Sequence, residues 1–356
     1  MGQVMLQNIS PGARIRAELR KRKITQKQFA ESVGFVPSRV SDLISNRRTI
    51  TTEVAAKLQD FFDIPAKEWL DMQTNYRLIH KEDVAEMEAA EELYKYDECI
   101  SLKTLFMRSG GKSFETSVAK LNFLKKEFGI ASLHQLQCCR GFFKKSDKTG
   151  LDVRMLNTWT FLARRDSQRC VVTGKFDRGT LAQVTSELFT IFHSNMSVMM
   201  RTKDVLAHYG IKFCETPKVD RASVDGFSFI DGGVPSIVVT RRFDRIDNLA
   251  FAIMHELCHV YKHLSEDGDQ RINIEGYSEE IQREENEANE FAVNALIPTE
   301  VWNNETPTVR PIPHVIQREY TRWANKKGYN KWIVLGRIAH DMGLYQMRAD
   351  NARKVN

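Results

Sequence analysis

The chain has 356 residues, 42% of them hydrophobic and 28% charged, with 20 Phe, 9 Tyr and 5 Trp. That much apolar surface suits two or three packed domains and excludes a low-complexity or disordered polymer. The net charge is only +6, from 52 Lys and Arg against 46 Asp and Glu, so the position of the charge says more about partners than its total.

The amino terminus, MGQVMLQNISPGARIR, lacks the apolar core of a signal peptide, and no run of about 18 apolar residues follows anywhere. The expectation is a cytoplasmic, nucleoid-associated protein with no membrane partner. From Ser10 to Ile50 ten basic residues stand against three acidic ones, a segment of +7 that leaves about −1 for the remainder. Pro11 opens a helix carrying Ile15 and Leu19. Thr25 and Gln28 form a capping box for a second helix with Phe29, Ala30 and Val33 at helical spacing, and Gly34 ends it. Pro37 starts a third helix, PSRVSDLISN, with Val40, Leu43 and Ile44 as its buried stripe. Two short helices across a Gly turn make a helix-turn-helix. Two more follow, TTEVAAKLQDFF behind Thr51 or Thr52, and AKEWLDMQTNYRLI behind Pro65.

This stretch, placed at residues 9–80, resembles the Xre-type helix-turn-helix family, and within it the HigA-like antitoxins. The likeness rests on ISPGARIRAELRKRKITQKQFAESVG, SNRRTIT and EWLDMQTNYRL. It implies that the third helix enters the major groove of double-stranded operator DNA, with Ser38, Arg39 and Ser41 reading base edges. Arg47 and Arg48 would hold phosphates, and Gln26 and Lys27 would fix the preceding helix on the backbone. Such domains bind palindromes as homodimers; the same five-helix pattern can also serve dimerisation or partner binding alone.

Residues 81–150 read as a mostly helical connector, ending in an exposed loop, GFFKKSDKTG, at Gly141–Gly150. A larger unit, 151–356, begins with the helices NTWTFLARR and LAQVTSELFTIFHSN. Its strand-like runs are IKFCE, VDGFSFI and PSIVVTRR, with a turn at Asp231–Gly233 between the last two. A sheet edge beside the next helix would let an extended peptide add as a strand.

That helix, from about Asp247, is expected to be amphipathic, with Leu249, Ile253, Leu257 and Val260 apolar. It contains His255-Glu256-Leu257-Cys258-His259, an HExxH pattern. Histidines four apart share one helical face and can present two nitrogens to one metal ion, with Glu256 as a carboxylate base toward water. Twenty-six residues after His259 comes Glu285, on an expected helix with Ala288, Phe291, Ala292, Ala295 and Leu296 on its buried side. Glu285 and Asn289 stand at i and i+4, so one can ligate while the other orients a ligand histidine. Glu284 and Glu287 are the competing ligands; they lack a partner at the Asn289 offset.

HExxH followed by such a helix resembles the gluzincin arrangement, and HELCH with ENEANEFAVNALIP resembles the ImmA/IrrE metallopeptidases. The resemblance implies His255, His259 and Glu285 as ligands of Zn²⁺, with Mn²⁺ as an alternative, Asn289 behind them and Glu256 as the catalytic base. Many relatives carry Gly at the position of Cys258, which reads as a packing residue; His263 continues the same face one turn beyond the ligands. His314, Tyr320 and His340 are candidates for an oxyanion donor without an assignment among them. After Pro298 the chain breaks at NNETPTVRPIP and ends in helices around YTRWANKKG and VLGRIAHDMG.

The six cysteines, Cys99, Cys138, Cys139, Cys170, Cys214 and Cys258, have no CxxC spacing and are expected to be reduced. The fold class expected is mainly α with a small β-sheet (α+β). The function implied is a DNA-binding regulator that cleaves a partner repressor or antitoxin. The rival is a non-enzymatic HigA-type antitoxin and autorepressor, partnered by a cognate toxin, whose metal domain senses or binds.

Overall fold

The computed structural model describes residues 10–79, 81–110, 113–131, 142–145, 152–264, 279–343 and 353–356. The chain divides into two compact units, 1–135 and 136–356, and the architecture is mainly helical with a small sheet, as an α+β chain requires. The helices of the expected connector fall within the first unit. Cys138, Cys139 and residues 146–150 lie outside the described residues.

The first unit opens with five helices: α1 (Pro11–Lys21), α2 (Gln26–Val33), α3 (Pro37–Ile44), α4 (Thr52–Phe62) and α5 (Ala66–Ile79). Local chemistry sets their ends. Ser10 caps α1, the Thr25/Gln28 capping box closes α2 at its start, Gly34 ends it at φ +67°, and Thr51 is the cap of α4. Ile15, Phe29, Val40, Leu43, Leu58, Phe62 and Trp69 form the shared core. Three further helices complete the unit, α6 (Lys81–Asp97), α7 (Leu102–Arg108) and α8 (Ser117–Phe128). Glu86 on α6 accepts from the amides of Ser117 and Val118, so α6 itself satisfies the exposed N–H groups at the start of α8.

The second unit carries α9 (Val153–Gln168), α10 (Leu181–Ser194) and α11 (Val198–His208). Its sheet has four strands, β1 (Phe142–Lys145), β2 (Lys212–Glu215), β3 (Val224–Asp231) and β4 (Val234–Val239), in the order β1-β3-β4-β2. β3 and β4 form a hairpin through Gly232 and Gly233, both at positive φ, as the sequence spacing predicts. β2 runs parallel to β4. β1 corrects the expected loop at 141–150: three of those residues pair antiparallel with β3, from Phe142 opposite Ser228 to Lys145 opposite Val224, with an irregularity between Phe143 and Lys145. β3 is therefore an interior strand, and β1 and β2 are the edges of the sheet.

Against this sheet lies α12 (Ile246–Cys258), surrounded by α10, α13 (Glu279–Leu296) and α16 (Lys331–Met342). The expected amphipathic stripe understates its burial. Of its thirteen residues only Asn248 and Phe251 escape full burial, the signature of a helix in the middle of a core. α14 (Thr299–Glu305) and α15 (Pro313–Lys327) complete the unit. His193 on α10 ties three segments together: its Nδ1 accepts from the Asn330 amide at 2.8 Å, and its Nε2 donates to the Leu296 carbonyl at 2.9 Å. Among the described residues no helix is long and apolar enough to cross a membrane.

Candidate metal centre and candidate nucleic-acid interface

α12 delivers His255 and Glu256 and passes into a single π-helical turn, His259–His263. The turn closes with the Leu264 amide on the His259 carbonyl at 2.9 Å. Two further carbonyls at this end, those of Tyr261 and Leu264, accept from the Arg178 guanidinium, and the Tyr261 hydroxyl meets Thr180 Oγ1 at 2.9 Å. The orphan acceptors of the helix end are thereby satisfied by a side chain from the segment before α10. Sequence reasoning passed over Arg178, because its partners lie more than eighty residues away.

His255, Glu256 and His259 are fully buried. The Nε2 atoms of the two histidines face each other at 3.1 Å, and each lies 3.4 Å from a different oxygen of Glu285 on α13. Four donors held about 2.0–2.1 Å from a tetrahedral Zn²⁺ stand about 3.3–3.4 Å from one another. With either Glu285 oxygen as ligand, two edges of such a tetrahedron are present, and one donor atom from each residue lies within 4.8 Å of the others, so the residues fit the ion. His255 Nδ1 lies 3.1 Å from Asn289 Oδ1, which fixes Nδ1 as the donor and turns the Nε2 lone pair toward Glu285. His259 Nδ1 lies 2.8 Å from His263 Nδ1, and His263 Nε2 lies 3.2 Å from Glu287, which Lys262 holds at 2.6 Å.

The protonation states agree with this use. Burial lowers the His259 pKa to about 4, keeping the imidazole neutral. Burial alone would raise the Glu285 carboxyl, but the neighbouring His255 and His259 imidazoles outweigh it and hold the group at about 2. A neutral imidazole beside a carboxylate is the form in which both ligate. Of the three glutamates weighed on sequence, Glu285 is brought to the imidazoles, Glu287 is engaged by Lys262 and His263, and Glu284 lies outside the group. Glu256 points at β3, where Gly226 lets the backbone approach it; this glycine carried no signal in the sequence. Cys258 is buried packing, its thiol pushed up to about 12 by that burial. Tyr320 sits buried on α15 against Trp302, His340 is exposed beside Asp341, and His314 begins α15.

In the first unit, Gln26, Lys27, Ser38, Ser41 and Arg47 are exposed along α2, α3 and the loop after α3. Arg39 is half-buried, its guanidinium 4.1 Å from the centroid of the Phe35 ring. Arg48 departs from the expected phosphate contact. It is 4% exposed, with its guanidinium 3.6 Å from the centroid of the Tyr94 ring on α6, and burial lowers its pKa. Part of the +7 is likewise spent internally: Arg16 donates to the Ile44 carbonyl at 3.2 Å and Arg22 to that of Phe62, capping α3 and α4.

Comparison with known proteins follows the same division. Residues 15–69 match a family model described as helix-turn-helix, and residues 206–322 match one described as IrrE N-terminal-like domain. The virulence-associated protein I of Dichelobacter nodosus is 34% identical over 71 residues, a match that covers 20% of this chain and 66% of that protein. The chain thus joins a helix-turn-helix segment of Xre type to an IrrE/ImmA-like domain.

Proposed function

We propose that the protein is a DNA-binding regulator whose IrrE-like domain is a zinc-dependent endopeptidase acting on a partner repressor or antitoxin. The observation that carries this reading is the triangle of His255, His259 and Glu285 donors, spaced for one ion, beside the buried carboxylate of Glu256. His255, His259 and Glu285 would hold Zn²⁺, which IrrE-like domains use in general; Mn²⁺ also suits nitrogen and oxygen donors. Bound there, the cation would act as a Lewis acid on a peptide carbonyl and on water. Glu256 takes the proton of the attacking water and returns it to the leaving amine. Asn289 keeps His255 in one tautomer. At the other end, a homodimer on palindromic operator DNA places Ser38, Arg39 and Ser41 over the bases, with Gln26, Lys27 and Arg47 on the backbone.

Replacing Glu256 by Gln tests the reading, with the wild-type chain and the variant each incubated with repressor or antitoxin proteins from the same genome. The variant keeps its metal and loses cleavage; cleavage at the wild-type rate sinks the mechanism. A second reading, the non-enzymatic antitoxin with a sensing metal domain, is favoured by the full burial of Glu256 and by β1 lying along β3. It predicts stoichiometric zinc and intact partner protein after prolonged incubation.

A further inference from the structure

The two ligand histidines are steadied in different ways. His255 meets the Asn289 side chain at its Nδ1, 3.1 Å away, whereas His259 Nδ1 meets another imidazole, the Nδ1 of His263, at 2.8 Å. From there the contacts run outward: His263 Nε2 lies 3.2 Å from one oxygen of Glu287, and the other oxygen takes the Lys262 ammonium at 2.6 Å. Side-chain exposure is 0% at His259, 6% at His263, 48% at Glu287 and 40% at Lys262, so these four form one line from the core to the surface.

The backbone keeps the two rings together. His259 and His263 bound the π-helical turn that the Leu264 amide closes on the His259 carbonyl, and their ring centroids lie 4.9 Å apart with the planes at 60°. Single π turns of this kind are rare and concentrate at functional sites. Arg178, by holding the carbonyls of Tyr261 and Leu264, fixes this one from outside the helix.

Donor and acceptor roles follow along the line. A carboxylate only accepts, so the His263 proton sits on Nε2, facing Glu287. A neutral imidazole protonated there keeps a lone pair on Nδ1. His259 Nδ1 is then the donor of the 2.8 Å contact, and its own lone pair is left on Nε2, the atom that faces His255 and Glu285.

We propose that His263 and Glu287 are positioning residues for the metal, a relay through which a surface carboxylate fixes the nitrogen that His259 offers to the ion. The opposite setting, with a proton on Nδ1 of His263, would point a donor at His259 Nδ1 and drive the His259 proton onto the ligating nitrogen. Helix α13 thereby supplies the ligand Glu285 together with a holder for each histidine, Asn289 for His255 and Glu287, through His263, for His259. The proposal rests on the metal-binding part of the proposed function and is independent of its peptidase part.

The test uses the full chain, labelled at the histidine ring nitrogens and loaded with one equivalent of Zn²⁺, and reads each tautomer by NMR. The expected result is a proton on Nδ1 of His259 and on Nε2 alone of His263; a proton on Nδ1 of His263 overturns the proposal. Chelator competition then measures Zn²⁺ affinity. His263→Leu keeps the bulk and removes the acceptor, and affinity should fall by about 10–100-fold. His263→Asn places an amide oxygen where Nδ1 stood and should restore it to within about threefold of wild type. Wild-type affinity in the leucine variant, or an asparagine variant as weak as the leucine one, overturns the proposal. Should His263→Leu fail to fold, Glu287→Ala, at an exposed position, should bind about tenfold more weakly than wild type; equal binding there overturns it. A wild-type chain that binds no Zn²⁺ sinks the metal reading and the relay together, whereas one that binds Zn²⁺ and cleaves nothing leaves every arm of this test in force.

Discussion

A Cβ built on Gly226 would stand 2.7 Å from Oε1 of Glu256 and 2.7 Å from its Cγ. Strand β3 thus passes over the HExxH carboxylate at a distance that no side chain allows, and the strand is what confines Glu256. Gly226→Ala must displace the carboxylate or the strand. The expected outcome is at least a tenfold loss of hydrolysis with one metal ion per chain retained. Wild-type turnover in this variant, measured alongside metal content, would show that Glu256 needs no such confinement.

The hydrogen bond from His255 to Asn289 makes a separate demand. Asn289→Ala releases the imidazole to rotate or change tautomer, and metal affinity should fall by about 10–100-fold. Glu284→Gln, which removes a carboxylate outside the ligand group, should leave it within about twofold of wild type by the same reasoning. Competition against a chromogenic chelator measures both.

Arg47 and Arg48 are adjacent in sequence and different in use. Arg47→Ala removes an exposed cation, so operator affinity should drop and the slope of log affinity against log salt should shrink by about 1. Arg48→Ala removes a buried cation from the Tyr94 ring, and the first unit should lose about 1–2 kcal/mol of stability with the salt slope of its folded form unchanged. Salt titrations of binding, paired with thermal melts, separate the two.

His193 predicts an acid limb of stability. Burial lowers its pKa to about 4 in the folded chain, below the unfolded value of about 6.5. The unfolded state therefore binds more protons between those values. The contribution is complete above about pH 6.5 and disappears as pH falls to about 4, at most about 3 kcal/mol. In His193→Gln the melting temperature of the second unit should fall less steeply over that window than in wild type. An unchanged slope would assign the acid limb to other groups.

Much of this molecule is legible in its sequence because the deciding chemistry is local. Capping by Thr25 and Gln28, the Gly232–Gly233 turn and the i, i+4 pairs His255/His259 and Glu285/Asn289 each fit within a helical turn or a hairpin. What escaped is non-local. Phe142–Lys145 looks like a loop until β3, some eighty residues later, offers it a ladder. Arg48 looks like a phosphate ligand until Tyr94 covers it, and Arg178 looks like one more surface cation until the carbonyls of Tyr261 and Leu264 reach it. Gly226 has meaning only beside Glu256, because close approach between segments leaves no periodicity to read.

The Arg48–Tyr94 contact, with Glu86 holding the start of α8, also says how this protein can be cut. A fragment ended at residue 80, where the helix-turn-helix pattern stops, would lose the Tyr94 ring that covers the Arg48 guanidinium and open that side of the first unit to water. A fragment ended near residue 131 keeps α6, α7 and α8 and, with them, both attachments. The portable reading head is accordingly about two-thirds longer than its motif, and swapping it between regulators means moving α6 to α8 as well.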